Sequence, residues 1–273
     1  MLKNPIKIIF FDIDETLYVK DKAILPNTIP TVIRSLKNKG IIPAIATGRA
    51  RCAFPEKIDQ LIKDEGIELF VTINGQYNSY QNQVIAKHPI AKQDIEHIIQ
   101  FLKQHQIEYA FVGNEDIAVS NITPQLKQAL DPITTRYFID ADYYQTHDIF
   151  QLLLFYPAEQ DQFIAESGIL GEQFKTVRWH EYSVDCLVAT GSKASGIDAV
   201  VEHFGLTIDN VMAFGDGLND IEMISHVGTG VAMGNAHPSL KEVANYITED
   251  IEHDGVLKGL LALGVLTEDD LQS

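Results

Sequence analysis

Short apolar segments rich in β-branched residues recur in the first part of this 273-residue chain. They are residues 6–14 (IKIIFFDID), 41–47 (IIPAIAT) and 67–73 (IELFVTI). Segments of this length and composition are typical of strands that are buried on both faces. The chain between them is helical in pattern, with Asn27 as the expected cap of the first helix and Gly40 as its stop. Strands that alternate with helices predict an α/β fold with a doubly wound parallel sheet.

This alternation stops after position 75 and resumes near position 191. Between these points the sequence mixes helical segments such as KQDIEHIIQFLKQHQ with short strands such as EYAFVG and KTVRW. A mixture of this kind is typical of an α+β unit with antiparallel pairing. We therefore predict a core domain formed by residues 1–82 and 188–273, with residues 83–187 inserted as a separate α+β domain.

Acidic residues follow two of the predicted parallel strands. Asp12 and Asp14 end the first strand. The segment GDGLND, which begins at the end of the strand NVMAFGD, contains Asp216 and Asp220. Ligands of open α/β sheets bind at the carboxyl ends of the strands. If the two strands are neighbours, the carboxylates converge there and need a counter-charge. An oxygen-only set favours Mg²⁺, although each aspartate alone could simply cap a helix or end a strand.

A second group of residues at the same predicted edge suits a phosphate. Thr47 and Gly48 follow the second strand, where a hydroxyl and an unhindered amide at a helix start can hold an anion. Lys193 begins a predicted helix, from which its ammonium could reach the same anion. Singly, Thr47 fits a helix cap and Lys193 a surface lysine. Together with an Mg²⁺ cluster, they describe a site for a phosphoryl group.

The overall charge limits the partners of the chain. With 38 acidic and 21 basic residues its formal net charge is −17, and no cluster of Lys and Arg offsets it. Such a chain repels nucleic acid and anionic membranes, so we expect neither as a partner.

The N-terminal apolar run breaks at Asp12, too early for a signal peptide or a membrane span. Cys52 and Cys186 lack metal-binding spacing, and we expect a cytoplasmic protein without disulfides.

Four short motifs, in this order along the chain, resemble those of the haloacid dehalogenase superfamily. They are DIDETL from Asp12, TGR from Thr47, the single residue Lys193, and GDGLND from Gly215. The segments GVAMGNAHPSLKEVANYIT and HDGV resemble the C-terminal signature of the Cof-like phosphatases in this superfamily. The insertion between the second and third motifs resembles the type IIB α/β cap of that group. The resemblance covers nearly the whole chain and implies a Rossmann-like core with an inserted cap that governs substrate specificity.

The resemblance implies a catalytic role for each motif. Asp12 would be the nucleophile that forms an aspartyl-phosphate. Asp14 would protonate the leaving oxygen and then act as the base that activates water. Thr47, Gly48 and Lys193 would hold the phosphoryl oxygens. A carboxylate is a sensible nucleophile because its acyl phosphate is labile, so that one hard displacement becomes two easier ones.

The resemblance also implies a metal site. Asp12, the backbone carbonyl of Asp14 and Asp216 would bind Mg²⁺. Asn219 and Asp220 would support this set of ligands, and Asn219 could also touch the phosphate. Mg²⁺ would let the anionic substrate approach an anionic nucleophile.

Two features go beyond the motifs. Glu15 departs from the family, which often has Gly or Asp at this position, and it adds a charge beside the site. Near the end of the insertion, Trp179, His180 and Tyr182 could stack on a sugar or another ring, or could pack between the two domains.

The expected function is Mg²⁺-dependent hydrolysis of a small phosphorylated metabolite, such as a sugar phosphate. A sugar phosphomutase is the enzymatic alternative, and a non-catalytic sensor of phosphorylated ligands is the alternative from another class. A sensor that had lost its activity should lack one of Asp12, Asp14, Lys193 and Asp216, and all four are present. The sequence indicates neither the identity of the substrate nor the oligomeric state.

Overall fold

A computed structural model describes residues 4–272 of the chain. In chain order the strands are β1 (Ile8–Phe11), β2 (Ile42–Ala46), β3 (Leu69–Thr72), β4 (Tyr77–Tyr80), β5 (Gln83–Lys87), β6 (Glu108–Val112), β7 (Ile117–Val119), β8 (Phe138–Ile139), β9 (Gln151–Phe155), β10 (Phe174–His180), β11 (Ser183–Val188), β12 (Val211–Gly215), β13 (Thr229–Ala232) and β14 (Tyr246–Ile247). The α-helices are α1 (Ile29–Asn38), α2 (Glu56–Glu65), α3 (Lys92–Gln104), α4 (Pro124–Leu130), α5 (Asp161–Ser167), α6 (Lys193–His203), α7 (Ile221–His226), α8 (Pro238–Val243) and α9 (Gly255–Ala262). Among residues 4–272, none of these helices combines the length and the apolar character that crossing a bilayer requires.

The chain divides into two compact units. Within the described residues, the first unit contains 4–48, 54–87 and 192–272, and the second contains 49–53 and 88–191. The predicted insertion starts at residue 83, but β5 pairs with β4 in the sheet of the first unit, so residues 83–87 group with that unit. The short segment 49–53 groups with the second unit, which the alternation of strands and helices does not reveal.

The first unit is built on an eight-stranded sheet with the order β14-β13-β12-β1-β2-β3-β4-β5. The six strands from β14 to β3 are parallel, and β4 and β5 add an antiparallel hairpin at one edge. All four residues of the central strand β1 are buried, as its continuous apolar sequence predicts. The chain adds strands to both sides of β1, so the predicted doubly wound α/β fold is confirmed. The strand order reverses between β1 and β12, where folds of this kind bind ligands.

Strand register sets the position of the acidic residues. Phe11, the last residue of β1, is paired with Phe214 of β12 on one side and with Ile45 of β2 on the other. The Asp12 amide N–H donates to the Phe214 carbonyl at 3.1 Å. Asp216 directly follows β12, and Thr47 directly follows β2. These three polar residues therefore emerge at one edge of the sheet, from adjacent strands.

Helices complete the hydrophobic core of the first unit. In α1 the buried apolar residues recur at intervals of three and four, namely Ile29, Val32, Ile33 and Leu36.

The α1 helix stops before Gly40, which takes a φ of +71°, as predicted. The predicted cap Asn27 is wrong, because Thr28 occupies the position before the helix and makes no capping hydrogen bond. Its hydroxyl donates to Asp254 at 2.8 Å instead.

The second unit has a six-stranded sheet of its own, in the order β10-β11-β9-β6-β7-β8. Its strand pairs are antiparallel except for β7 with β8. Apolar residues of α3 and α5 form a core with one face of this sheet, to which β9 contributes Leu152 and Leu154 and β11 contributes Val184 and Cys186.

Candidate active site

Three aspartate side chains converge where β1 and β12 end. One carboxylate oxygen from each of Asp12, Asp216 and Asp220 lies within 4.8 Å of the others. Asp12 and Asp220 are buried, and Asp216 is partly buried. Within the described residues, the side chain of Asp14 is not part of this group. The two acidic segments of the sequence are thus brought together by the pairing of β1 with β12.

Lys193 supplies a positive charge inside this cluster. Its side chain is fully buried, and its Nζ donates to Asp12 Oδ1 at 2.7 Å and to Asp220 Oδ1 at 2.6 Å. Lys193 is the first residue of α6, whose start is fixed by reciprocal hydrogen bonds between Ser192 and Ser195. The sequence alone also allowed Lys193 to be an ordinary surface lysine. The complete burial of its side chain excludes this interpretation.

Burial and charge shift the pKa values of these groups. Burial raises the pKa of Asp12 well above its ordinary value, while Lys193 opposes the rise and the neighbouring carboxylates add to it. Burial also raises the pKa of Asp216 to about 7, and Asp220 reinforces this. Burial alone would lower the pKa of Lys193, but Asp12 and Asp220 raise it above its ordinary value. Lys193 therefore stays charged and compensates part of the carboxylate charge.

Asp220 organises the loop that carries Asp216. One of its carboxylate oxygens accepts from Lys193, and the other accepts from the backbone N–H groups of Asp216 and Gly217, both at 3.0 Å. On the other side of Asp216, the Thr16 hydroxyl donates to its Oδ1 at 3.3 Å. Asp216 is therefore positioned through its backbone and its side chain by different parts of the chain.

Glu15 adopts a left-handed backbone conformation, with a φ of +55°. A residue with a side chain is disfavoured in this conformation, which glycine adopts without strain. Here Asn235 Nδ2 donates to the Glu15 carbonyl at 2.9 Å, and Glu15 Oε1 accepts from the Lys20 backbone N–H at 2.9 Å. The carboxylate is thus bound within its own loop, and it is not one of the three clustered acidic groups.

The phosphate-site candidates lie at the ends of β2 and β12. Thr47 is buried, and Gly48 follows it. Asn219 Nδ2 donates to Asn74 Oδ1 at 3.5 Å, and the Asn74 side chain lies beside Gly48. Asn74 was not predicted as a site residue. The Asn-Gly pair directly after the third strand was the available signal, but it suggests only a turn.

The charge and the donor set of the cluster fit a divalent cation. One ammonium faces three carboxylates, so negative charge remains uncompensated. The group offers only oxygen ligands, which suit Mg²⁺ better than metals that prefer nitrogen or sulfur. A bound cation would also lower the raised pKa values of Asp12 and Asp216.

The second unit has a largely buried polar cluster on the sheet face opposite its hydrophobic core. Asp185 pairs with Leu153, so Gln151, Ser183 and Asp185 share this face because side chains alternate along strands. Within the described residues, Gln151 Oε1 and Ser183 Oγ are buried without a hydrogen-bond partner. Burial raises the pKa of Asp185 to about 7, and hydrogen bonds from the Trp179 and Gln151 side chains only partly offset this rise. The cluster therefore has unused hydrogen-bonding capacity.

The chain is similar to phosphatases over most of its length. YkrA of Bacillus subtilis, provisionally named a phosphatase, is 38% identical over 263 residues, which are 95% of this chain and 98% of YkrA. The pyridoxal phosphate phosphatase YbhA of Escherichia coli is 28% identical over 272 residues, with 92% of this chain and 96% of YbhA covered. The solved structure of BT4131, described as a HAD subclass IIB sugar phosphatase, matches with a TM-score of 0.80 at 28% identity and covers 95% of this chain and 100% of that one.

The sequence profile of the haloacid dehalogenase-like hydrolases matches residues 9–260. This match includes both units and all four motifs, so the resemblance seen in the motifs is confirmed. The chain belongs to the haloacid dehalogenase-like hydrolases, in the Cof-like group, and is a phosphatase.

Proposed function

We propose that this phosphatase hydrolyses small phosphorylated metabolites through an aspartyl-phosphate on Asp12, with Mg²⁺ as cofactor. The observation that carries the proposal is the buried contact between Asp12 and Lys193, at 2.7 Å, beside the Asp216 carboxylate. It combines a carboxylate nucleophile, a fixed positive charge and an oxygen-ligand set. These are the components that phosphoryl transfer requires.

In the first step Asp12 attacks phosphorus with a carboxylate oxygen, and the bond from phosphorus to the ester oxygen breaks. Asp14 gives its proton to the departing oxygen, so that the leaving group departs as an alcohol. Lys193 has three N–H donors, of which Asp12 and Asp220 use two, so a third can bind a phosphoryl oxygen. The Thr47 hydroxyl and the Gly48 amide contribute further donors.

In the second step water attacks the phosphorus of the aspartyl-phosphate. Asp14, now ionised, accepts a proton from this water. The bond between phosphorus and the Asp12 oxygen breaks, inorganic phosphate forms, and both aspartates return to their starting states. Using Asp14 first as acid and then as base closes the proton balance without another titratable group.

The metal proposal rests on the charge of the cluster. Asp12 and Asp216 would hold Mg²⁺ with their side chains, and Asp14 with its backbone carbonyl. Asp220 would support them, because its oxygens already bind Lys193 and two backbone N–H groups. The ion would supply positive charge that lets an anionic ester approach the Asp12 carboxylate.

We assign the choice of substrate to the second unit, as a cap. Support comes from its polar cluster, where Gln151 Oε1 and Ser183 Oγ are unpaired and Asp185 adds a carboxyl group. These groups offer more acceptors than donors, which suits a leaving group that is rich in hydroxyls. The names of two relatives refer to a sugar and to pyridoxal phosphate, and the cluster favours the sugar-like class for this chain.

A panel of phosphate monoesters tests the proposed activity. It should include hexose and pentitol phosphates, pyridoxal phosphate and p-nitrophenyl phosphate. We expect release of inorganic phosphate with Mg²⁺, loss of release after chelation, recovery when Mg²⁺ is restored, and the highest kcat/KM on a hydroxyl-rich ester. Absence of phosphate release from every ester in the presence of Mg²⁺ would contradict the proposal.

Asp12→Asn and Asp14→Asn should have different effects. Asp12→Asn removes the nucleophile, so no phosphoenzyme forms and turnover is lost. Asp14→Asn keeps the backbone carbonyl but removes acid-base catalysis, which is typically worth about 10²–10⁴-fold in rate. With p-nitrophenyl phosphate, whose leaving group needs little protonation, this variant should accumulate phosphoenzyme, measured by rapid quench. A hydroxylamine-labile phosphoprotein formed by Asp12→Asn at the wild-type rate would show that another residue is the nucleophile.

Asp185→Asn tests the assignment of substrate selection. This isosteric change removes a carboxyl acceptor, so kcat/KM for the best hydroxyl-rich ester should fall by roughly tenfold or more. Turnover of p-nitrophenyl phosphate should not change, because its leaving group has no hydroxyls. Glu172→Gln, which alters an exposed carboxyl group of the same unit, serves as the control. If Asp185→Asn changes both esters equally, or neither, the cluster does not select the substrate.

A further inference from the structure

The loop that follows β3 has an unusual backbone. Ile73, Asn74 and Gly75 have φ values of +51°, +50° and +84°, so three consecutive residues are left-handed. Asn and Gly tolerate this region, but a β-branched residue such as Ile is a marked outlier there. Backbone strain of this kind persists only where the surroundings enforce it, and it is concentrated at functional sites.

Two contacts hold this loop against the candidate active site. The Asn74 backbone N–H donates to the Thr47 carbonyl at 3.1 Å. Gly75 lies against the start of α6, where a Cβ on Gly75 would be 2.2 Å from the Ser192 carbonyl oxygen and 3.0 Å from the Gly196 nitrogen. No side chain fits at Gly75, so the loop is fixed directly beside the helix that carries Lys193.

The enforced conformation brings the Asn74 side chain to the phosphate-site candidates. A Cβ on Gly48 would lie 3.3 Å from both Nδ2 and Oδ1 of Asn74, so the carboxamide lies beside Gly48, in the space that a side chain there would fill. Asn74 Oδ1 accepts from Asn219 Nδ2 at 3.5 Å. Among residues 4–272, no acceptor is paired with Asn74 Nδ2, and the side chain is partly exposed.

The need for a left-handed backbone does not by itself explain why residue 74 carries a side-chain amide. Asn is tolerated in the left-handed region, which alone could explain its presence. At the preceding position, however, Ile73 holds the same conformation without that tolerance. The loop can therefore keep this backbone without an asparagine, and the Nδ2 donor beside Gly48 is available to a ligand.

We propose that Asn74 is a further substrate-binding residue of the active site, whose Nδ2 donates a hydrogen bond to a phosphoryl oxygen. Asn219 orients the carboxamide by donating to its oxygen. Asn74 thus adds a neutral donor to Thr47, Gly48 and Lys193. The inference rests on the proposed phosphatase function and adds a side chain that none of the four motifs contains.

Asn74→Gly separates the amide from the backbone conformation, because glycine accepts a positive φ and has no side chain. Asn82→Gly is a matched control, since Asn82 is exposed, has a φ of +60° and lies in the turn between β4 and β5. For both variants and the wild type, kcat and KM on p-nitrophenyl phosphate and the inhibition constant of orthovanadate are measured with Mg²⁺. Thermal unfolding shows whether each variant is folded.

Asn74→Gly should remain folded, weaken orthovanadate inhibition and lower kcat/KM, each by about tenfold to hundredfold, as expected for a lost hydrogen bond to a charged group. Asn74→Asp keeps the shape of the side chain but replaces the donor with an anion. It should weaken orthovanadate inhibition and lower kcat/KM further than Asn74→Gly does. Asn82→Gly should match the wild type. Wild-type inhibition and kcat/KM in Asn74→Gly would overturn the inference. If the wild type itself releases no phosphate from any ester, the proposed function fails instead.

Discussion

The buried ion pair of Lys193 with Asp12 and Asp220 is the interaction on which the active edge of the sheet depends. A fully buried ammonium gains no stabilisation from water, and its two hydrogen bonds of 2.7 and 2.6 Å replace that hydration. An isolated charge at this depth would be strongly unfavourable. When all three carboxylates are ionised, one ammonium does not balance them, and the excess negative charge around Asp216 suits a cation. The charge balance thus links the stability of the site to its chemistry.

Segments that are distant in sequence build this pair through ordinary features of the fold. The pairing of β1 with β12 brings Asp12 next to the loop of Asp216, and Asp220 closes that loop on its backbone N–H groups. The capped start of α6 directs Lys193 inward. The loop at Gly75 packs on the same helix start so closely that only glycine fits. The proposed phosphate-binding and metal-binding groups are therefore held together by neighbouring elements of the first unit.

The parts of this structure that depend on local pattern could be predicted from the sequence. Continuous apolar strands predicted the parallel sheet, and the edge at which its strands end predicted where Asp12 and Asp216 would lie. The complete burial of Lys193 could be inferred only by combining motifs, because a lysine at a helix start is usually exposed. Asn74 was missed because its place beside Gly48 depends on a left-handed backbone that tertiary packing imposes. Unpaired groups such as Gln151 likewise become visible only when the strands are aligned.

Urea unfolding of the wild type, Lys193→Met and the double variant Lys193→Met/Asp220→Asn at pH 7 tests the role of the buried ion pair most directly. Removing the ammonium leaves two buried carboxylates uncompensated, so the free energy of unfolding should fall by about 3–5 kcal/mol in Lys193→Met. The double variant should recover part of this loss, because it removes one of the two carboxylates. A Lys193→Met protein as stable as the wild type, or a double variant less stable than the single one, would contradict the account.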